Sequence, residues 1–393
     1  MSSGQRGFIA AGRLGLLVCS LIVLAATGVI WSAGKDLNNG FGRSLALQDS
    51  PGSSDGAQNI LLMGLDTRKD RNGEDLPADV LRQLHARDSS DGGYNTNTLI
   101  LVHIPADRKN IVAFSIPRDD LVPMQGLDVS QAKIKEAYGR KKASTEQRMM
   151  DQGVTDGHVL ESSGREAGRA QTLQTVRELT GVQIDRFAEV SLVGFYDIGK
   201  ALGGVPVCLN HAVSDDYSGA RFPAGRQTLD AAQALAFVRQ RHGLDNGDLD
   251  RTHRQQAFLV SVLHQLQSSG TFTDIGKLNA LKKAIGDDVV LSDGWDITSW
   301  AQQLASVDGQ HISFRTLPVE RYAEFDGQDV NIVDTDAIRD EVQTAFGMRP
   351  PRPSQTATAS TSESGTETTT SANVPAPNIG ESVTSGDSPP CVN

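Results

Sequence analysis

The sequence predicts a layered α/β(α) sandwich with a central mixed sheet, preceded by one N-terminal transmembrane helix. Three observations predict it. Residues 14–31 form an apolar run without a charged side chain. Between residues 58 and 348, apolar runs of strand length are interspersed with segments of helical period. On either side of that body the composition shifts to small and polar residues.

Arg6 and Arg13 precede the apolar run and place residues 1–13 in the cytoplasm. The run 14–31 is long enough to cross the hydrocarbon core as a transmembrane helix. A cleaved signal peptide is the rival reading, and under either the body is exported. Residues 32–57, rich in Gly, Ser, Asn and Asp, read as a linker to an extracytoplasmic domain over 58–348. Within that domain the runs 59–63, 98–104, 111–116, 187–193 and 311–317 read as strands. Residues 165–180 read as a helix stopped by Gly181, and 230–238 and 296–307 as two more. A longer helix is predicted over 251–267, where Leu259, Val262, Leu263 and Leu266 share a face. The polar stretches 68–92 and 140–164 read as irregular loops near a site. From 349 to 393 the chain is Pro, Ser and Thr with few large apolar residues, which predicts a disordered tail.

The length of 393 residues suffices for a large core. A net charge of -11 argues against a nucleic-acid partner, which requires a basic face. The three cysteines show no metal-ligand spacing, and Cys19 falls in the apolar run. Outside the cytoplasm the remaining pair would oxidise, predicting a Cys208–Cys391 disulfide. A reduced, buried Cys208 with Cys391 free or paired between chains is the alternative.

No nucleotide-binding glycine loop, nucleophile elbow or zinc-protease motif occurs. What stands out is arginine at element ends. Arg118 follows a strand, Arg239 and Arg241 close a helix, and Arg251 and Arg254 begin the next, with Gln255 four residues after Arg251 on the same face. Guanidinium forks grip phosphate oxygens in pairs, and a pyrophosphate needs several. Asp66 follows the first strand, Asp119 and Asp120 follow Arg118, and Asp248 and Asp250 precede Arg251. Carboxylates in such company suit Mg²⁺, as they also suit caps and ion pairs.

A set of blocks in one order carries a resemblance. They are NILLMGLDTR at 59–68, NTNTLILVH at 95–103, FSIPRD at 114–119, KIKEAY at 133–138, LGGVPV at 202–207, QALAFVRQR at 233–241 and DLDRTHRQQ at 248–256. Together they resemble the LytR-CpsA-Psr family of single-pass cell-membrane proteins, over about residues 59–270. The resemblance implies a transferase of cell wall biogenesis. It would move a phosphorylated glycan from a polyprenyl-pyrophosphate carrier to peptidoglycan or another wall acceptor, with Mg²⁺ as cofactor. It implies Asp66 and Asn97 as the metal-associated pair, and Asp66, Asn97 and Arg118 as the catalytic set. It implies Arg118, Lys133, Arg239, Arg241, Arg254 and Gln255 as the pyrophosphate contacts. The form NTNT and the tail ending PCVN are similar to actinobacterial, mycobacterial-type members, which implies arabinogalactan as the glycan.

The family usually carries an Asp where this chain has Asn97. An amide keeps one acceptor oxygen but loses the charge and cannot serve as a general base. Two readings follow: an active phosphotransferase, or a catalytically weak or inactive polyprenyl-pyrophosphate-binding scaffold or regulator. Both predict that Arg118, Arg239 and Arg241 converge on one pocket and that Asn97 lies within a few ångströms of Asp66.

Overall fold

A computed structural model describes residues 40–48, 50–53, 56–84, 93–244, 248–271, 274–305, 311–350, 383–384 and 390–393. The expected transmembrane span 14–31 and the segment before it lie outside the described residues. Among the described residues no helix is long and apolar enough to cross a membrane.

The strands run in chain order as β1 (Gly42–Ser44), β2 (Gln58–Asp66), β3 (Asn95–Ile104), β4 (Asn110–Ser115), β5 (Leu121–Pro123), β6 (Gln131–Lys133), β7 (Arg186–Ser191) and β8 (Val205–Leu209). They continue with β9 (Val213–Asp215), β10 (Ala220–Phe222), β11 (Gly225–Leu229), β12 (Val289–Ser292), β13 (His311–Thr316), β14 (Arg321–Phe325), β15 (Gln328–Ile332), β16 (Val383–Thr384) and β17 (Cys391–Val392). Eight of them build the central sheet in the order β1-β12-β7-β2-β3-β4-β13-β16. The sheet is mixed: β2 is antiparallel to β3 and parallel to β7, and β3 is antiparallel to β4.

Period-two alternation divides β2 between two cores. Leu61 and Met63 face one core with Leu173, Val176, Leu179, Ile338 and Val342, from the helices Gly157–Thr180 and Thr335–Ala345. Leu62 instead packs against the opposite core, with Ile100, Ala113, Val260 and Phe314. On that side stand the helices Leu192–Ala201, Ala231–Arg239 and Asp248–Ser268. The result is a helix–sheet–helix sandwich.

Local signals account for most boundaries. Asp230 caps its helix in a reciprocal capping box with Gln233. Gly181 ends the helix Gly157–Thr180 in the left-handed region at φ 71°, where a Cβ is costly.

The structure departs from the sequence reading in four places. Within 68–92, read as an irregular loop, the helix Ala78–Gln83 forms and buries Leu81. Residues 140–164 are not a loop: the helix Ala137–Asp151 runs through them and Gly157–Thr180 begins within them. Their polar side chains pair with one another instead of marking a loop. Lys142 lies 2.8 Å from Glu161, Arg165 lies 2.6 Å from Glu161, and Tyr94 donates to Glu161 at 2.6 Å. Residues 42–44, read as linker, form the edge strand β1 beside β12, with Ser44 donating to Glu166 at 2.8 Å. The tail read as disordered over 349–393 returns at its end: β17 lies parallel to β8, and Cys391 is disulfide-bonded to Cys208. Residues 351–382, between these segments, lie outside the described residues.

Candidate functional site

Strand directions gather the site at one edge of the sheet. Asp66 ends β2, and Asn97 lies near the start of antiparallel β3. Arg118 follows the end of β4, which is antiparallel to β3 and so finishes at the same edge.

The register explains how Asn97 comes to face Asp66. Gly64 pairs with Thr98, yet Leu65 pairs with Thr96, so Asn97 is the extra residue of a β-bulge. A bulge re-aims the side chain it carries. Gly64 is needed opposite it, since a Cβ there would stand 2.9 Å from the Thr98 Cβ.

Asn97 Nδ2 donates to Asp66 Oδ2 at 2.6 Å, and Asn97 Oδ1 accepts from Arg118 Nη1 at 2.7 Å. Asp66 Oδ1 is buried without a hydrogen-bond partner. Arg118 is itself buried, with Nε 3.3 Å from Asp119 and 3.5 Å from Asp248.

Beside this trio opens a cavity of about 540 Å³ between the sheet and the helices Leu192–Ala201, Ala231–Arg239 and Asp248–Ser268. Its two ends differ chemically. Asp66, Asn97, Arg239, Arg241, Arg251 and Gln255 supply polar walls. Leu62, Ile100, Phe195, Phe258, Leu259 and Val262 supply apolar ones.

The cationic wall is electrostatically crowded. Burial lowers the Arg251 guanidinium to about 9; Asp248 opposes this, while Arg118 and Arg241 push it further down. Burial also lowers Arg241, and Arg118 adds to the shift. Burial lowers Arg239, against the attraction of Asp66. Arginines stay charged in proteins, so the wall holds desolvated guanidinium groups that repel one another, a strain that a bound anion would relieve. Nε of Arg251, and Nε and Nη1 of Arg68, are buried without hydrogen-bond partners. Such buried donors are costly unless a ligand meets them.

The residues expected at a site from sequence divide into two groups. Asp66, Asn97, Arg239, Arg241 and Gln255 line the cavity, and Arg118 stands directly behind Asn97. Lys133 and Arg254 are not among the lining residues. Lys133 ends β6, with Nζ 3.5 Å from Asp119 Oδ1, one layer behind Arg118. Arg254 is fully buried: its guanidinium donates to Gln240 Oε1 at 2.5 Å and to the Asn393 carbonyl, and lies 5.2 Å from the Phe237 ring. It therefore ties the C-terminal strand to the body.

Arg251 lines the cavity; it stood among the arginines at element ends but outside the contacts that the resemblance implied. A signal was present: 251, 255, 258, 259 and 262 follow one helical face, and all five line the cavity. Asp215, Tyr217 and His242 also line the cavity. Tyr217 is 71% exposed and its ring lies 4.4 Å from that of His242. His242 Nδ1 is 3.6 Å from Asp215, whose carboxyl burial would raise; the Ser218 hydroxyl, backbone donors and His242 hold it lower.

The Mg²⁺ expected between Asp66 and Asn97 does not fit the side chains as placed. Asn97 turns its nitrogen to Asp66 and its oxygen to Arg118, so it offers no oxygen to a cation shared with Asp66. The nearby carboxylates are engaged: Asp119 with Arg118, Lys133 and Lys135, and Asp248 with Arg118 and Arg251. Among the described residues no group of three or more His, Cys, Asp or Glu side chains is arranged to hold a metal ion.

Several known proteins are similar to this chain. The chain is 41% identical over 341 residues to the cell wall biosynthesis protein LcpA of Corynebacterium glutamicum, covering 86% of this chain and 64% of that protein. It is 28% identical over 271 residues to the polyisoprenyl-teichoic acid–peptidoglycan teichoic acid transferase TagU of Oceanobacillus iheyensis, covering 68% of each. The crystal structure of Bacillus subtilis TagV shares its fold, with a TM-score of 0.52 at 20% identity over 76% of this chain and all (100%) of that one. The LytR_cpsA_psr family model matches residues 33–346, and the chain belongs to that family.

Proposed function

We propose that this protein binds a polyprenyl-pyrophosphate-linked glycan and transfers the phosphorylated glycan to peptidoglycan or another wall acceptor, outside the cell membrane. The observation that carries this reading is the two-ended cavity, with Arg239, Arg241 and Arg251 at one end and Phe195, Phe258 and Val262 at the other. A diphosphate needs the first and a prenyl chain the second. The relatives named as cell wall biosynthesis and teichoic acid transferase proteins support the same chemistry. Arabinogalactan as the glycan rests on the resemblance of NTNT and the tail alone.

In this reading the arginines neutralise the diphosphate, and an acceptor hydroxyl attacks the glycan-side phosphorus. A new P–O bond forms, the P–O bond to the bridging oxygen breaks, and polyprenyl phosphate departs. Asp66 Oδ1, buried and without a partner, is the carboxylate oxygen left to receive the hydroxyl proton. Transfer of this kind depends mainly on positioning and charge stabilisation.

The amide at position 97 favours a second reading, a binding protein that turns over slowly or not at all. The purified full chain, given a polyprenyl-pyrophosphate disaccharide and peptidoglycan fragments, separates the two. Release of polyprenyl phosphate supports the transferase. Binding without release supports the scaffold, and absence of binding removes both.

A further inference from the structure

The Asn97 amide occupies the position that a cation shared by Asp66 and its neighbour would need. We propose that this amide replaces a divalent cation as the bridge at the pyrophosphate site, so that the diphosphate is held by guanidinium charge without Mg²⁺. The inference rests on the pyrophosphate reading above and concerns how that same site supplies positive charge.

The orientation of the amide is fixed from both sides. Its nitrogen donates to Asp66 at 2.6 Å and its oxygen accepts from Arg118 at 2.7 Å. Turned over, it would set its N–H groups against a guanidinium and its oxygen against a carboxylate, losing both bonds. The bulge between Gly64 and Leu65 presents Asn97 to Asp66, so the contact belongs to the backbone register and not to a freely moving side chain.

Only one uncommitted carboxylate oxygen is left at the trio, Asp66 Oδ1. Mg²⁺ demands near-octahedral oxygen ligation and commonly takes one or two carboxylates with substrate phosphates. Here the second carboxylate is absent, and Arg118 already fills the outer coordination space of position 97. The charge that a dication would bring is supplied by Arg239, Arg241 and Arg251 on the cavity wall, with Arg118 behind. A dication added beside them would meet repulsion. Asn97 is thus a positioning residue: it holds the Asp66 carboxylate and the Arg118 guanidinium in register with each other.

The test is calorimetric binding of geranylgeranyl pyrophosphate to the detergent-solubilised full chain, in EDTA and in excess Mg²⁺, for the natural protein and Asn97→Asp. The natural protein is expected to bind with affinities that agree within about twofold in the two conditions. Asn97→Asp is expected to lose about tenfold in EDTA and to regain it with Mg²⁺, because two facing carboxylates then require a cation between them. Mg²⁺ binding to the free lipid is measured in a titration without protein, and each affinity is corrected for it. A natural protein that gains about tenfold or more from Mg²⁺ overturns the inference while leaving the pyrophosphate site standing. Absence of binding in both conditions overturns the pyrophosphate reading itself. Thermal melts without lipid give a further readout, in which Mg²⁺ raises the Tm of Asn97→Asp and leaves the natural protein unmoved. Should Asn97→Asp not fold, the two natural-protein titrations decide alone.

Discussion

Arg251 and Arg254 stand three residues apart on one helix, yet the first lines the cavity while the second is buried against Gln240 and Asn393. Two guanidinium groups of one sequence block therefore have separable consequences. Arg251→Ala is expected to weaken geranylgeranyl pyrophosphate binding by roughly 1.5–3 kcal/mol, the range for a hydrogen bond to a charged group. Arg254→Ala is expected to lower the Tm, by leaving Gln240 Oε1 and the Asn393 carbonyl short of a donor, with little change in affinity. Calorimetry and melting curves on the two variants check the division; a large affinity loss in Arg254→Ala would refute it.

Arg239 donates to the Leu84 carbonyl at 2.8 Å and lines the same cavity, where Asp66 attracts it. Arg239→Ala should cost roughly 1.5–3 kcal/mol of pyrophosphate binding. The loss should shrink as salt rises, because screening weakens partly exposed charge pairs. Titrations at two ionic strengths measure it, and a salt-independent loss counts against direct contact with the anion.

Leu259 lines the apolar part of the cavity. Leu259→Trp should fill space meant for hydrocarbon. Binding of geranylgeranyl pyrophosphate should fall by about 1–2 kcal/mol, the scale of one or two buried methylenes. Inorganic pyrophosphate should bind as before. Equal losses for the two probes would place the prenyl chain elsewhere.

Asp120 is fully buried: Asn331 donates to its Oδ1 at 3.0 Å, and its Oδ2 has no hydrogen-bond partner. Burial pushes its carboxyl well up; the Asn331 bond opposes this, while Asp119 and Asp248 add to the rise. A carboxyl raised on folding contributes stability that is fully present below its unfolded value near 4 and is lost as pH rises through the folded value. Asp120→Asn should therefore be more stable than the natural protein at neutral pH, by about 1–3 kcal/mol. The gap should close as pH falls toward about 4. Denaturation at a series of pH values tests the sign, and a gap that widens in acid would contradict it.

The Cys208–Cys391 disulfide closes a separation of 183 residues. Its removal in a Cys208→Ala, Cys391→Ala double variant should cost about 2–5 kcal/mol. Alkylation of the exported protein before and after reduction checks the bond: a Cys208 peptide labelled without reductant would disprove it.

By itself the sequence determined the layered α/β body, because the apolar run in 59–63 and the helical period in 251–267 are local properties that later packing preserved. It also marked Asp66, Arg118, Arg239 and Arg241, since each sits where an element ends, and ends at one sheet edge make sites. It misjudged 140–164 because a polar run gives no apolar period; the charges there pair along their own helices, as Lys142 with Glu146 and Arg165 with Glu161, and across the fold, as Glu161 with Tyr94 and Lys142. It could not separate Arg251 from Arg254, because which face of a helix meets a cavity depends on what packs against the other. The cysteine pair pointed to a bond between Cys208 and Cys391, but the tertiary structure alone decided that Asn97 is the extra residue of a bulge, that its amide joins Asp66 to Arg118, and that the chain's last residues pair with β8 as a parallel strand. Each of these is a relation between segments far apart in sequence, fixed by register and strand order, and no local pattern encodes it.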